Sequence, residues 1–98
     1  MTKVIITGVK GRMGLALLHC AKRISDIEIV GQISKGDDLR KIIEGADVVI
    51  DFSYHDATPG FAEECARHKK PFVIGTTGHT DAQKTQILKL KTQIPIVW

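Results

Sequence analysis

Short β-branched runs alternate along this chain with longer stretches whose apolar residues recur at helical spacing. "KVIIT" (3–7) reads as a first strand. A helix comes next over about 12–25, with Met13, Leu17, Ala21 and Ile24 along one stripe. "IEIVGQI" (27–33) is a second strand, and "DLRKIIEG" (38–45) a short helix stopped by Gly45. "DVVIDF" (47–52) is a third strand. The next helix opens at Thr58-Pro59, with Thr58 as N-cap and Pro59 at the first helical position, and turns Phe61, Ala62, Cys65 and Ala66 inward. "PFVIG" (71–75) is a fourth strand. Thr80 and Gln83 form a capping box for a last helix whose buried side runs through Ile87, Leu90 and Ile94. "PIVW" (95–98) reads as a fifth strand.

Strict β/α alternation predicts a parallel sheet with helical crossovers, right-handed as such crossovers almost always are. Strands one, three and four are nearly continuous apolar runs, the pattern of strands covered on both faces. The expected architecture is α/β: one Rossmann-type domain over residues 1–98, strand order 3-2-1-4-5, with helices on both faces. Ligands of such sheets bind beyond the carboxyl ends of the strands, where the order reverses. In the expected order that point lies between strands one and four.

The loops at that edge carry the candidate chemistry. After strand one comes Gly8-Val9-Lys10-Gly11-Arg12-Met13-Gly14. Gly8 permits the tight turn, Gly11 lets backbone approach a pyrophosphate, and Gly14 lets the helix lie close to the strand. The helix N-terminus then offers free N–H groups and a positive dipole end. The spacing is G-x-x-G-x-x-G, and its position between a strand and a helix points to phosphate binding rather than a plain turn. A dinucleotide site often places an acid about 20 residues further on, against the adenosine ribose. Here that place holds Ser34 followed by Lys35. A cation without an acid suits a 2′-phosphate, hence NADP(H), and Arg12 is placed to assist.

After strand three come Asp51, Phe52 and Ser53. Phe52 and Ser53 reach the cofactor edge. Asp51 is either a ligand-edge acid or a structural carboxylate bonded to the loop, while Tyr54 and His55 read as exposed loop residues. After strand four, Gly75-Thr76-Thr77-Gly78 sets two hydroxyls between glycines. This loop is placed to hold ribose or the nicotinamide carboxamide, or else it is a tight turn.

Composition narrows the picture. At 98 residues and 43% hydrophobic, the chain has material for one core. Its apolar runs are strand-length, so no membrane helix is expected, and the N-terminus lacks a signal-peptide layout; both favour the cytoplasm. The net charge of +3 is scattered and only 5% of residues are aromatic, so a nucleic-acid partner is not expected and an anionic small ligand is. Cys20 and Cys65 read as buried thiols rather than a disulfide or zinc pair. His19 and His68 take surface or boundary positions, and no metal site or Ser-His-Asp arrangement is supported. No residue of the chain is assigned a catalytic role.

"GxxGRMG" after strand one, "DVVIDFS" at strand three and "VIGTTG" at strand four together resemble the 4-hydroxy-tetrahydrodipicolinate (dihydrodipicolinate) reductases. The resemblance runs through the whole chain. It implies an oxidoreductase of lysine and diaminopimelate biosynthesis that passes hydride from NADPH or NADH to 4-hydroxy-tetrahydrodipicolinate. It implies a nucleotide-binding domain followed by a separate substrate and tetramer-forming domain. Carried over, Gly8, Val9, Lys10, Gly11, Arg12 and Met13 hold the pyrophosphate. Ser34 and Lys35 flank the adenosine ribose, and Gly75, Thr76 and Thr77 lie along the ribose and nicotinamide. Ser34 stands where the family often has an acid, "SYHDAT" replaces a Thr-x-Pro start, and His79 stands where an aromatic is common. The family's catalytic lysine and His-His pair belong to the second domain. The expectation is that residues 1–98 bind cofactor, NADPH before NADH, without turnover. The alternatives are a stand-alone regulatory nucleotide-binding module and a CoA-binding domain.

Overall fold

The computed structural model describes residues 2–8, 16, 26–33, 38–76 and 78–98. Five parallel strands form one sheet: β1 Thr2–Thr7, β2 Ile27–Ile33, β3 Val48–Asp51, β4 Phe72–Ile74 and β5 Ile96–Val97. Two helices are described, α1 Thr58–Arg67 and α2 Asp81–Leu88. Of the helix expected over 12–25, only Ala16 lies among the described residues, and it is helical. No described helix is long and apolar enough to cross a membrane.

The α/β class and the parallel sheet hold, but the order is β2-β1-β3-β4-β5, not 3-2-1-4-5. The physical reason lies in β2. Its Glu28, Val30 and Gln32 are exposed, which suits a sheet edge. The apolar β3 instead pairs with β1 on one side and β4 on the other, and Val49 is fully buried. The reversal therefore falls between β1 and β3. This is the other common doubly wound order, and it obeys the same rule for ligand placement.

The sheet carries a core on each face. Ile5, Val49, Phe72 and Ile74 face Leu39, Ile43, Ala62, Cys65 and Ile87 in the larger cluster. Val4 and Ile6 head a second cluster with Ile27, Ile29, Val48 and Ile50. In β2 the register slips after Val4↔Ile29, so that Ile5 pairs with Gly31. The extra residue, Val30, reverses the facing of the remainder of the strand. Ile27 and Ile29 join one core while Ile33 joins the other.

Local chemistry explains most element ends and corrects three expectations. Residues 38–45 form two 3-10 turns, Leu39–Lys41 and Ile43–Gly45, instead of one helix. Leu39 and Ile43 are buried, so short turns suffice to place both anchors. Thr58 does not cap α1; the N-cap is Ala57, because the Thr58 hydroxyl is engaged by Asp51. The last helix gives way after Leu88 to a 3-10 turn, Lys89–Thr92. Its capping box is present: Thr80 Oγ1 accepts from Gln83 N (3.2 Å), and Gln83 Oε1 accepts from Thr80 N (2.8 Å). Thr80→Ala is expected to cost about 1 kcal/mol, read from denaturant unfolding. No measurable loss would mean that Gln83, which also donates to Asp56 (2.9 Å), anchors the helix without the cap.

Candidate functional site

Three strands end level. Thr7 of β1 is the register partner of Asp51 of β3, which pairs in turn with Ile74 of β4. The loops that leave them begin at Gly8, Phe52 and Gly75. Because β3 lies beside β1, the neighbour of the glycine loop is the Phe52-Ser53 loop. The Gly75-Thr76 loop expected in that place stands one strand further away.

Gly8 has φ +73°, in the left-handed region that glycine alone adopts freely. Its N–H donates to Ile33 O (2.8 Å), tying the loop to the end of β2. A Cβ at this position would lie 2.3 Å from Phe52 O and 2.6 Å from Ser53 N. Phe52 N in turn donates to Thr7 O (3.2 Å). The backbones at Gly8 and at Phe52-Ser53 thus touch with no side chain between them.

The Phe52 ring reaches across to β4 and occupies the space beside Gly75. A Cβ there would be 2.1 Å from its Cε1. Gly75 N donates to Asp51 O (2.8 Å). Phe52, expected at the cofactor edge, therefore joins Gly8 and Gly75 through its backbone and ring.

Beneath these loops Asp51 is fully buried. Its Oδ1 accepts from Thr7 Oγ1 (2.5 Å), Ser53 Oγ (2.5 Å) and Ser53 N (3.1 Å). Its Oδ2 accepts from Thr58 Oγ1 (2.7 Å) and Thr76 Oγ1 (2.9 Å). Five donors from β1, the β3 loop, α1 and the β4 loop thus converge on one carboxylate. Of the two sequence readings of Asp51, this geometry matches the structural one. Hydrogen bonds to charged groups each contribute roughly 1.5–3 kcal/mol, so the network has the strength to hold four segments together.

Among the described residues, two cavities are formed. One, of about 430 Å³, opens beyond β4 and is lined by Gly75, Thr76, Gly78, His79, Lys84 and Trp98. His79 stacks edge-to-face on Trp98, with ring centroids 5.1 Å apart. Its Nε2 is buried and meets no protein partner among the described residues. Burial pushes the His79 imidazole pKa down, which favours the neutral ring. The other cavity, of about 360 Å³, lies between the 3-10 turn after β2 and α1. Asp38, Arg40, Asp56, Gly60 and Phe61 are among its walls. Arg40 pairs with Asp38 (3.0 Å), and this hydrogen bonding holds the Asp38 carboxyl below its usual range. The sequence alone does not single out Asp38 or Arg40, since an ion pair two residues apart has no signature until the turn brings it to a cavity wall.

Val9, Lys10, Gly11, Arg12, Met13, Ser34, Lys35 and Thr77 lie outside the described residues, as do Gly14, His19 and Cys20. Cys65 is a buried free thiol, its pKa pushed up to about 12 chiefly by burial and further by the Asp51 charge. It is protonated at neutral pH and chemically inert. His68 stands at the end of α1 between Glu44 and Glu64. His55 is partly exposed, with Nδ1 3.2 Å from Gln83 Oε1; Tyr54 is exposed, as expected. Among the described residues, no group of three or more His, Cys, Asp or Glu is arranged to hold a metal.

Comparison with known proteins adds to this geometry. A family model described as dihydrodipicolinate reductase, N-terminus, matches residues 2–98. The 4-hydroxy-tetrahydrodipicolinate reductase of Caldanaerobacter subterraneus is 37% identical over 105 residues, covering 98% of this chain and 42% of its own length. That of Akkermansia muciniphila is 36% identical over 98 residues, covering 100% and 40%. The chain thus spans about two fifths of the length of these curated relatives. Among solved structures, a dipicolinate-bound dihydrodipicolinate reductase from Paenisporosarcina superposes with TM-score 0.77 at 23% identity, over 92% of this chain and 43% of that one. An NADP-bound pyrroline carboxylate reductase from Plasmodium falciparum superposes at 0.66 and 16% identity, over 99% and 41%. At such identities these structural likenesses carry the fold alone.

Proposed function

Because this chain belongs to the dihydrodipicolinate reductase N-terminal family, we propose that it is the cofactor-holding part of a 4-hydroxy-tetrahydrodipicolinate reductase of lysine and diaminopimelate biosynthesis. The observation that carries the reading is the bare backbone contact between Gly8 and the Phe52-Ser53 loop at the strand-order reversal. A doubly wound sheet places its dinucleotide at that crevice. The residues present fit such a ligand. Gly8 brings backbone to the crevice with no side chain of its own, and Ser53 and Thr76 bring hydroxyls to the same edge.

In this reading Gly8 to Met13 hold the pyrophosphate, and Ser34 and Lys35 flank the adenosine ribose. Gly75, Thr76 and Thr77 lie along the nicotinamide riboside. When bound, the dinucleotide supplies the hydride. The substrate and the proton donor are met by the part of the relatives that extends beyond the matched region, through which the whole enzyme forms a tetramer in the cytoplasm. The 98 residues alone bind cofactor and do not turn over substrate. No residue here is assigned to the chemical step, and neither nucleic acid nor membrane is a partner.

Titration of the chain with NADPH, NADH and CoA tests this. NADPH is expected to bind roughly tenfold tighter than NADH, a difference of about 1.4 kcal/mol that one Lys–phosphate contact can supply. Lys35→Ala is expected to erase the preference. Equal affinities in the wild type would remove the 2′-phosphate argument, and tighter binding of CoA would reassign the site. Reduction of 4-hydroxy-tetrahydrodipicolinate by these 98 residues alone would show the proposed division of labour to be wrong.

A further inference from the structure

The Asp51 network does more than brace the edge, because it fixes where four hydroxyl protons point. A carboxylate has no proton to give, and a hydroxyl has one proton and two lone pairs. Thr7, Ser53, Thr58 and Thr76 therefore each commit their single proton inward to Asp51. The further acceptors near two of them, Asp51 O for Thr76 (3.2 Å) and Tyr54 O for Thr58 (3.4 Å), lie on the protein side as well. Thr7 and Thr58 are fully buried and meet no ligand. Ser53 is half-buried at the reversal crevice, and Thr76, itself 7% exposed, is among the residues that line the cavity beyond β4. Toward that space these two hydroxyls have only lone pairs left.

We propose that Asp51 is the positioning residue of the dinucleotide site: it holds Ser53 and Thr76 as obligate hydrogen-bond acceptors, so the ligand group that meets them is a donor. This rests on the dinucleotide reading above. On such a ligand the donors are ribose hydroxyls and the carboxamide N–H, while a dianionic phosphate offers none and is repelled by outward lone pairs. The network thus divides the edge. Phosphate belongs at the Gly8 loop and the nicotinamide riboside at the Ser53–Thr76 side.

The test compares NADPH with 2′,5′-ADP, which keeps the adenosine, its 2′-phosphate and one 5′-phosphate and lacks the second phosphate of the pyrophosphate and the nicotinamide riboside. Asp51→Asn is nearly isosteric but puts two N–H donors where only acceptors stood, forcing hydroxyls on one side to turn round. Thr76→Val removes the acceptor itself, and Thr76→Ser keeps it. Wild type is expected to bind NADPH more tightly than 2′,5′-ADP. Asp51→Asn and Thr76→Val are expected to weaken NADPH roughly tenfold, the scale of an orphaned polar group, and to leave 2′,5′-ADP within about twofold. Thr76→Ser should restore NADPH binding. A role confined to folding would weaken both ligands alike, and that result would overturn the proposal. So would unchanged NADPH affinity in Thr76→Val, which decides the question even if Asp51→Asn does not fold. Equal wild-type affinities for the two ligands would overturn it too, while leaving the nucleotide reading in place. Binding of neither ligand by wild type would overturn that reading and this inference with it.

Discussion

Gly8→Ala is expected to lose at least about 3 kcal/mol of stability and most cofactor affinity together. A residue with a Cβ pays roughly 1–2 kcal/mol to adopt the left-handed region, where Gly8 sits at φ +73°. The larger cost is contact. The new methyl would lie 2.3 Å from the Phe52 carbonyl, an atom that cannot swing aside because the Phe52 backbone is itself bonded to Thr7. Either the β1 loop, the proposed phosphate site, lifts or the β3 loop, which carries Ser53 of the proposed riboside side, drops. In a domain of this size about 1 kcal/mol moves Tm by roughly 4–8 °C, so the expected fall is on the order of 12 °C or more. Thermal melting and NADPH titration read the two effects. A variant melting within about 3 °C of wild type would show that the two backbones do not meet as described.

Asp51→Ala is expected to be comparably severe, for a different reason. The carboxylate is fully buried, and its loss strands the Thr7 hydroxyl and the Ser53 amide while opening a cavity where four segments meet. Thr58 and Thr76 retain second acceptors in Tyr54 O and Asp51 O, which limits the damage. Each buried donor left without its acceptor costs roughly 1–3 kcal/mol, so the stranded Thr7 hydroxyl and Ser53 amide together give an expected fall in unfolding free energy of about 3–5 kcal/mol. Thr58→Val, which withdraws one donor of five, should cost nearer 1–2 kcal/mol. If the two variants unfold at the same urea concentration, Asp51 is one contact among many rather than the hub.

Both predictions concern residues that differ in how far the sequence reveals them. Gly8 is legible because a glycine directly after an apolar strand and before a helical stripe marks a βα turn by its position alone. The capping box at Thr80 and the buried thiol at Cys65 are legible for a similar reason: the causes lie within one helix. Asp51 is not, and its partners show why. Thr7 lies 44 positions away and Thr76 lies 25 away. No periodicity links a threonine at the end of one strand to an aspartate at the end of another. Thr58 passes for an N-cap because the local rule sees a Thr-Pro pair and cannot see a buried carboxylate competing for its hydroxyl.

Among the described residues, the sequence by itself determined the strands, the helices that begin near Thr58 and Thr80 and their succession, though not the 3-10 turns between β2 and β3. Strand and helix are written in spacings of two and about three and a half residues, which need no distant partner to be read. It also determined the family, through three motifs that stand in order along the chain. Only the tertiary structure decided which strands are neighbours. Strand order depends on which faces remain uncovered once every crossover is placed, and no single segment encodes that sum. The polar alternation of β2 already marks it as an edge, but that hint acquires meaning only when β3 is seen beside β1. From that one adjacency come the contact of Gly8 with Phe52, the level ends of three strands, and the meeting of four hydroxyls on Asp51.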